Sequence, residues 1–156
     1  MNTKLSTQPE LIACARSWNI PISLKHSVEI SKLLRYKKIN LAKQWLEEVI
    51  LGQRAVPYTR FKHNVGHRAG MAAGRFPEKA AREFLRLVKS VEANAQVKGL
   101  NSSHLKICKI IANRASLPLT GSRFRYSTKR TNLEIEVREQ AEKKEQKTTA
   151  MAEAKA

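Results

Sequence analysis

Residues 105–137 read LKICKIIANRASLPLTGSRFRYSTKRTNLEIEV, and how this segment pairs with itself decides the fold. At its far end Leu133, Ile135 and Val137 alternate with Glu134, Glu136 and Arg138, the period-two pattern of a strand with one buried face. At its near end Leu105, Ile107 and Ile111 fall on one side, with Lys109 interrupting, while Cys108, Ile110 and Ala112 fall on the other. That predicts a strand partly buried on both faces. Two strands on either side of one segment predict an antiparallel pair. What joins them is of another kind. Residues 114–132, RASLPLTGSRFRYSTKRTN, carry five Arg or Lys side chains, no acid, and only scattered apolar residues. They cannot line a core, and Gly121-Ser122, soon after Pro118, supplies the chain reversal.

A two-stranded ribbon without an apolar face is marginal in water, and ordering each residue costs about 1–2 kcal/mol of backbone entropy. The arm is therefore expected to be loose in the free chain and to gain order among phosphates. There Arg114, Arg123, Arg125, Lys129 and Arg130 can displace condensed counterions, and an Arg can fork onto a phosphate. Phe124 and Tyr126 lie between the arginines, placed to stack on unpaired bases. A globule of this size has a radius of gyration of about 14 Å. Each side of the ribbon would add roughly 30 Å at ~3.3 Å per residue. It should protrude.

The charge of the whole chain points the same way. Thirty Lys and Arg face thirteen acids, all of them Glu, for a net charge of +17 over 156 residues. In residues 139–156 four Glu balance four Lys, so the excess belongs to residues 1–138. A compact body so charged repels itself until an anionic partner neutralises it, and nucleic acid fits better than an anionic membrane. No run approaches the ~18 apolar residues of a membrane span, and the opening MNTKLSTQPELIACARS has no apolar core of a secretory signal. Cys14 and Cys108 lie far apart with no metal-ligand spacing, which predicts two free thiols in a reducing, cytoplasmic setting.

Along the chain, Trp18, Ile20, Ile22 and Leu24 alternate as a short strand, which Pro21 places at a sheet edge. Val28, Ile30, Leu33 and Leu34 make one face of a helix that starts near Ser27 and stops at the turn Tyr36-Lys37-Lys38. Asn40 is a candidate N-cap for a second helix carrying Leu41, Trp45, Val49 and Ile50, with Gly52 as its stop. Between Glu48 and Glu78 there is no acid, while Arg54, Arg60, Lys62, Arg68 and Arg75 are cationic. Pro57, Gly66, Gly70 and Gly74 break any periodicity there, which predicts a long basic loop of functional character. A third helix starts at Pro77 and carries Ala80, Phe84, Leu87, Val88, Val91 and Ala95 as its core stripe, ending at Lys98-Gly99. The parts are an extension (1–17), one RNA-binding domain (18–138) with an extended hairpin at about 105–137, and a polar tail (139–156) expected to be a frayed helix or disordered.

Catalytic chemistry finds little to work with. His63 and His67 are four apart, but the stretch lacks a metalloprotease Glu, contains Gly66, and sits among Arg60, Lys62 and Arg68. They are read as RNA-contacting side chains, with no metal and no cofactor. His26 and His104 are isolated and read as structural or surface residues. There is no Asp, no phosphate-binding glycine loop and no paired-carboxylate spacing, so no enzyme is predicted. The alternative is a free RNA- or DNA-binding regulator. Against it, the positive charge concentrates in loops and hairpin and not on a recognition-helix face.

Two long blocks, LKHSVEISKLLRYKKINLAKQWLEEVILGQRAVPYTRFKHNVGH and AGRFPEKAAREFLRLVKSVEANAQVKGLNSSHLKI, resemble the universal large-subunit ribosomal protein twenty-two family in its archaeal and eukaryotic-like branch. The resemblance runs from about Ile20 to Val137. It implies an α+β fold, three helices packed on a small three-stranded antiparallel sheet, with a long protruding β-hairpin. It also implies a ribosome-bound structural constituent that contacts large-subunit ribosomal RNA and neighbouring ribosomal proteins, with the hairpin tip at the wall of the peptide exit tunnel near the nascent peptide. No homo-oligomer is expected. Arg54, Pro57, Tyr58, Arg60, Lys62, His63, Gly66 and His67 match the family's basic block, and Gly74, Arg75, Phe76 and Pro77 match its turn into the long helix; both regions are ones the family uses against RNA. The hairpin departs from the resemblance: SLPLTGSRFRYSTKR is several residues shorter, with Arg123, Phe124 and Arg125 as the nearest equivalents.

Overall fold

The computed structural model describes residues 12–120 and 126–140. Strand β8 (Thr131–Glu139) is the centre of the main sheet, between β1 (Ile12–Ile20) and β5 (Leu105–Arg114), and both pairings are antiparallel. Its alternation sends Leu133, Ile135 and Val137 into the core, all at most 2% exposed. On the other face Glu134 meets Arg16 at 2.9 Å, and Glu136 meets Lys109 at 2.7 Å. Helices α1 (Leu24–Leu34), α2 (Ile39–Ile50) and α3 (Glu78–Val97) close the core. Of these α1 lies over β5, while α3 lies over β1 and packs against α2. Ala13 and Ala15 are buried under α3, small enough to let the helix approach, and the fully buried Phe84 anchors α3. Near its C-terminal end Asn94 and Lys98 each donate to a β1 carbonyl, those of Cys14 and Ile12, at 2.9 Å. The fold is α+β, as the resemblance implies.

Several boundaries differ from the sequence expectation, each for a physical reason. The first strand does not occupy residues 18–24 but starts at Ile12, so residues 12–17, assigned above to an extension, form an edge of the sheet. The register breaks between Ser17 and Ile20, where Asn19 has φ 56°, and this turns Trp18 outward to 67% exposure. Helix α1 begins at Leu24 instead of Ser27: the Ser27 N–H donates to the Ser23 carbonyl at 3.0 Å, closing a turn whose Lys25 and His26 show no apolar period to read. Ser27 and Ser31 are buried in it, and each hydroxyl donates to the carbonyl one turn back, at 2.9 and 2.7 Å. Helix α2 is not capped by Asn40. It starts at buried Ile39, directly after a segment hydrogen-bonded to β5: the Tyr36 N–H donates to the Ile107 carbonyl and the Ile107 N–H to the Lys37 carbonyl.

In β5 the ladder slips between Ile107 and Lys109, leaving Cys108 as an extra, exposed residue. The slip puts Ile110, not Ile111, in the core with Leu105 and Ile107. Residues 54–75 are not a structureless loop. They form a second antiparallel sheet, β2 (Val56–Pro57), β4 (Ala72–Arg75) and β3 (His67–Arg68) in that spatial order. Strands of two residues are too short to show a period, so pattern reading passes over them.

The hairpin pairs from Leu105↔Glu139 to Arg114↔Thr131, interrupted by the bulge at Cys108. Beyond that, the Ala115 N–H donates to the Arg130 carbonyl at 3.1 Å, and a short ribbon joins β6 (Leu119–Thr120) to β7 (Tyr126–Ser127). Its root is fastened to the body. The fully buried Thr131 hydroxyl donates to the Ile22 carbonyl at 3.0 Å, and the Arg130 guanidinium donates to the Asn19 carbonyl at 3.0 Å. The expectation of a loose arm over residues 114–132 is therefore corrected at its root. Arg123, Phe124 and Arg125 lie outside the described residues, as does the tail from residue 141.

Candidate nucleic-acid interface

A buried carboxylate organises the basic region. Glu29, on α1, is 1% exposed. Its Oε1 accepts from the backbone N–H groups of Arg60 and Phe61, at 2.8 and 2.9 Å. Its Oε2 accepts from the Thr59 N–H and the Thr59 hydroxyl, both at 3.2 Å. Burial alone would raise the Glu29 carboxyl above its ordinary value, but the N–H groups of Phe61, Thr59 and Arg60, with Lys32, more than offset it and leave it lowered. The ionised form is thus the native one, and it turns residues 59–61 into a fixed corner. The Tyr58 N–H donates to the Ala73 carbonyl at 2.8 Å, and the Arg75 guanidinium donates to the Asn64 carbonyl at 3.0 Å, so both ends of the loop are held. Gly74 is closely approached: a Cβ there would lie 2.8 Å from Met71 Sδ and 3.1 Å from Arg68 Cγ, so a larger residue would have to displace those side chains.

Tyr58, Arg60, His63 and Arg75 come together in one cleft, joined by two residues from α1, Lys25 and His26. Arg114, Lys129 and Arg130 line a second cleft with Ser23, Leu24 and again Lys25. The basic loop and the hairpin root, two separate cationic elements in the sequence, are therefore neighbours across the start of α1. His26 registers both: burial, then Arg75, then Lys129, hold its imidazole below the ordinary histidine value. Helix α1 adds the positive end of its dipole to this field, because its first turn holds no acid and, among the described residues, Ser23 makes no side-chain cap.

The remaining predicted residues are placed less uniformly. Arg54 is committed to α2, paired with Glu48 and lying 4.9 Å from the Trp45 ring centroid. Arg68 lies over the Phe76 ring at 5.1 Å, and Lys62 is exposed. His63 sits in the loop and His67 on β3, both exposed and not on one helix face; among the described residues no group of three or more His, Cys, Asp and Glu side chains could hold a metal. Arg130 is partly spent on the Asn19 carbonyl. For Tyr126 the strand position alone is described. Sequence reading missed Lys25 and Glu29, and it read His26 as structural or surface. The one signal for Glu29 was an acid near the middle of an apolar helix face, between Val28 and Ile30.

Among the described residues no helix is long and apolar enough to cross a membrane. The family described as Ribosomal protein L22p/L17e matches residues 15–138. A "Large ribosomal subunit protein uL22" of Ignicoccus hospitalis is 43% identical over 112 residues, covering 68% of this chain and 70% of the relative. One of Methanoculleus marisnigri is 38% identical over 141 residues, covering 85% and 92%. A third, of Methanocaldococcus jannaschii, is 42% identical over 114 residues, covering 71% and 73%.

Proposed function

Because the chain belongs to the ribosomal protein L22p/L17e family, with archaeal relatives among its matches, we propose that it works by binding ribosomal RNA through one continuous cationic surface. The family is a structural, non-enzymatic component of the large ribosomal subunit, and this chain is a structural ribosomal constituent of that kind. The observation that supports RNA binding is the meeting of the basic loop and the hairpin root at Lys25 and His26. Two anion-seeking elements on one body can bridge two RNA segments, and the counterions each releases favour the union. The reach from that surface outward is the hairpin, whose cationic residues Arg114, Arg123, Arg125, Lys129 and Arg130, with Phe124 and Tyr126, suit insertion between RNA helices toward the wall of the peptide exit tunnel. Contact with neighbouring ribosomal proteins and with the nascent peptide belongs to the same proposal, as does a ribosome-bound, cytoplasmic location.

The test is sedimentation of tagged chain in a sucrose gradient after a high-salt wash. The wild-type chain is expected in the large-subunit peak. A double variant, Arg123→Glu with Arg125→Glu, should enter that peak poorly while melting like the wild type. A wild-type chain released by the wash as free protein would refute the reading, and a double variant that assembles normally would refute the role of the arm.

A further inference from the structure

One part of this surface is built for a single anion in a defined place. Lys25 and His26 from α1, Tyr58, Arg60 and His63 from the clamped loop, and Arg75 from β4 line a cleft of about 320 Å³. We propose that this cleft seats one backbone phosphate of RNA, with Arg75 and Arg60 supplying charge and the Tyr58 hydroxyl donating a hydrogen bond. The assignment rests on the RNA-binding reading above and gives that reading a specific subsite.

The Tyr58 hydroxyl is the main evidence. Tyr58 is only 5% exposed, and its hydroxyl, shielded from solvent, has no hydrogen-bond partner among the described residues. A buried donor without an acceptor is uncommon in native proteins and calls for a specific reason. Here the natural acceptor is an oxygen that arrives with a ligand. Tyr58 lines the cleft beside the exposed Arg60 and Lys25 side chains. Burial pushes the phenol up to about 12, so it remains a donor at neutral pH.

Charge selects the ligand class. No carboxylate lines the cleft among the described residues. Glu29, the acid whose charge Tyr58 feels, has both oxygens taken by residues 59–61. His26 packs edge-on against Tyr58 with ring centroids 5.9 Å apart, under the positive charges of Arg75 and Lys129. Lys25, Arg60 and His63 share that lining with Phe61 and Val65, so an entering anion meets cations, imidazoles and apolar side chains. A stacked base fits less well, because the Phe61 ring already carries Lys25 at 5.8 Å and Arg60 at 5.4 Å from its centroid. Phosphate oxygens match the donors on offer: a guanidinium fork, a phenol and an imidazole able to take up a proton.

The experiment follows the His26 imidazole of the full chain by NMR across pH. Its ligands are a short oligouridylate with hydroxyl ends, which offers phosphodiesters alone, inorganic phosphate, and chloride at matched ionic strength. The oligouridylate is expected to raise the His26 midpoint, since a bound anion opposes Arg75 and Lys129. Tyr58→Phe should weaken its binding about ten- to a hundredfold, the usual worth of a hydrogen bond to a charged group. If Tyr58→Phe does not fold as the wild type does, Arg75→Gln serves instead, with a loss of similar size. A His26 midpoint that moves no more with the oligouridylate than with chloride overturns the proposal, and so does undiminished binding by the variant. Binding of inorganic phosphate alone overturns the assignment to RNA backbone and makes this a free-phosphate site. Sedimentation of the wild-type chain is read separately: if it stays with the large subunit while the cleft test fails, only the subsite falls.

Discussion

Glu29→Gln is the substitution most informative about how this chain presents its charge. The side chain keeps its shape but loses its negative charge and one of its two acceptor oxygens. If the remaining oxygen stays on the Arg60 and Phe61 N–H groups, 2.8 and 2.9 Å away in the wild type, the new amide N–H faces the Thr59 N–H. Two charge-assisted bonds become ordinary ones and one donor opposes another. At about 1.5–3 kcal/mol for a hydrogen bond to a charged group and about 1 for a neutral one, the cost comes to about 2–4 kcal/mol. That is a large share of the ~5–15 kcal/mol that holds a small domain together. Because the bonds join α1 to one loop, much of the loss should appear as local opening. Amide exchange at Thr59, Arg60 and Phe61 should accelerate roughly 30- to 700-fold, at tenfold per 1.4 kcal/mol. The pH dependence has a definite sign. The folded Glu29 carboxyl lies below its ordinary value of 4.5, so its contribution is complete above that value and is lost as pH falls through the lowered one. Wild-type protection of residues 59–61 should fade in acid over that window, and the variant should lack this acid-dependent step. Exchange within threefold of wild type at neutral pH, with an unchanged urea midpoint, would refute the clamp.

Three further outcomes are expected. Thr131→Val removes the buried hydroxyl that donates to the Ile22 carbonyl and should cost about 1–2 kcal/mol in chemical denaturation, with faster proteolysis at residues 115–118 as the arm root loosens. Gly74→Ala forces its new methyl against Met71 and Arg68, and a loss of about 1–3 kcal/mol is expected by thermal melting; no loss would mean that the β3–β4 turn is softer than its packing implies. Cys14 and Cys108 are both exposed and free, so each should react with a thiol reagent in native buffer without prior unfolding, scored by mass spectrometry.

Local alternation and helical period were enough to find β8, the paired β5 and the core stripe of α3, because each element buries one continuous face that its own residues define. The same logic fails where neighbours decide. Leu105, Ile107 and Ile110 share the core only because Cys108 bulges out of the ladder, and no period in the segment announces that extra residue. Residues 12–17 read as part of an extension until β8 offers them a backbone to pair with. Of the candidate site, the cationic residues were legible as types without acids nearby, but their grouping was not. Arg54 looks equivalent to Arg60 in sequence, yet one packs on Trp45 and the other lines the cleft.

By itself the sequence determined the charge, the one-sided strands and helices, and an arm without acids, since these depend on residue type and on spacing along a single element. Tertiary structure alone decided that a carboxylate from α1 would fix residues 59–61 and that the loop would meet the hairpin root at Lys25 and His26. Such positions follow from hydrogen bonds and packing between segments about thirty to a hundred residues apart. No local pattern encodes them, because neither partner has a reason to be there until the other is in place.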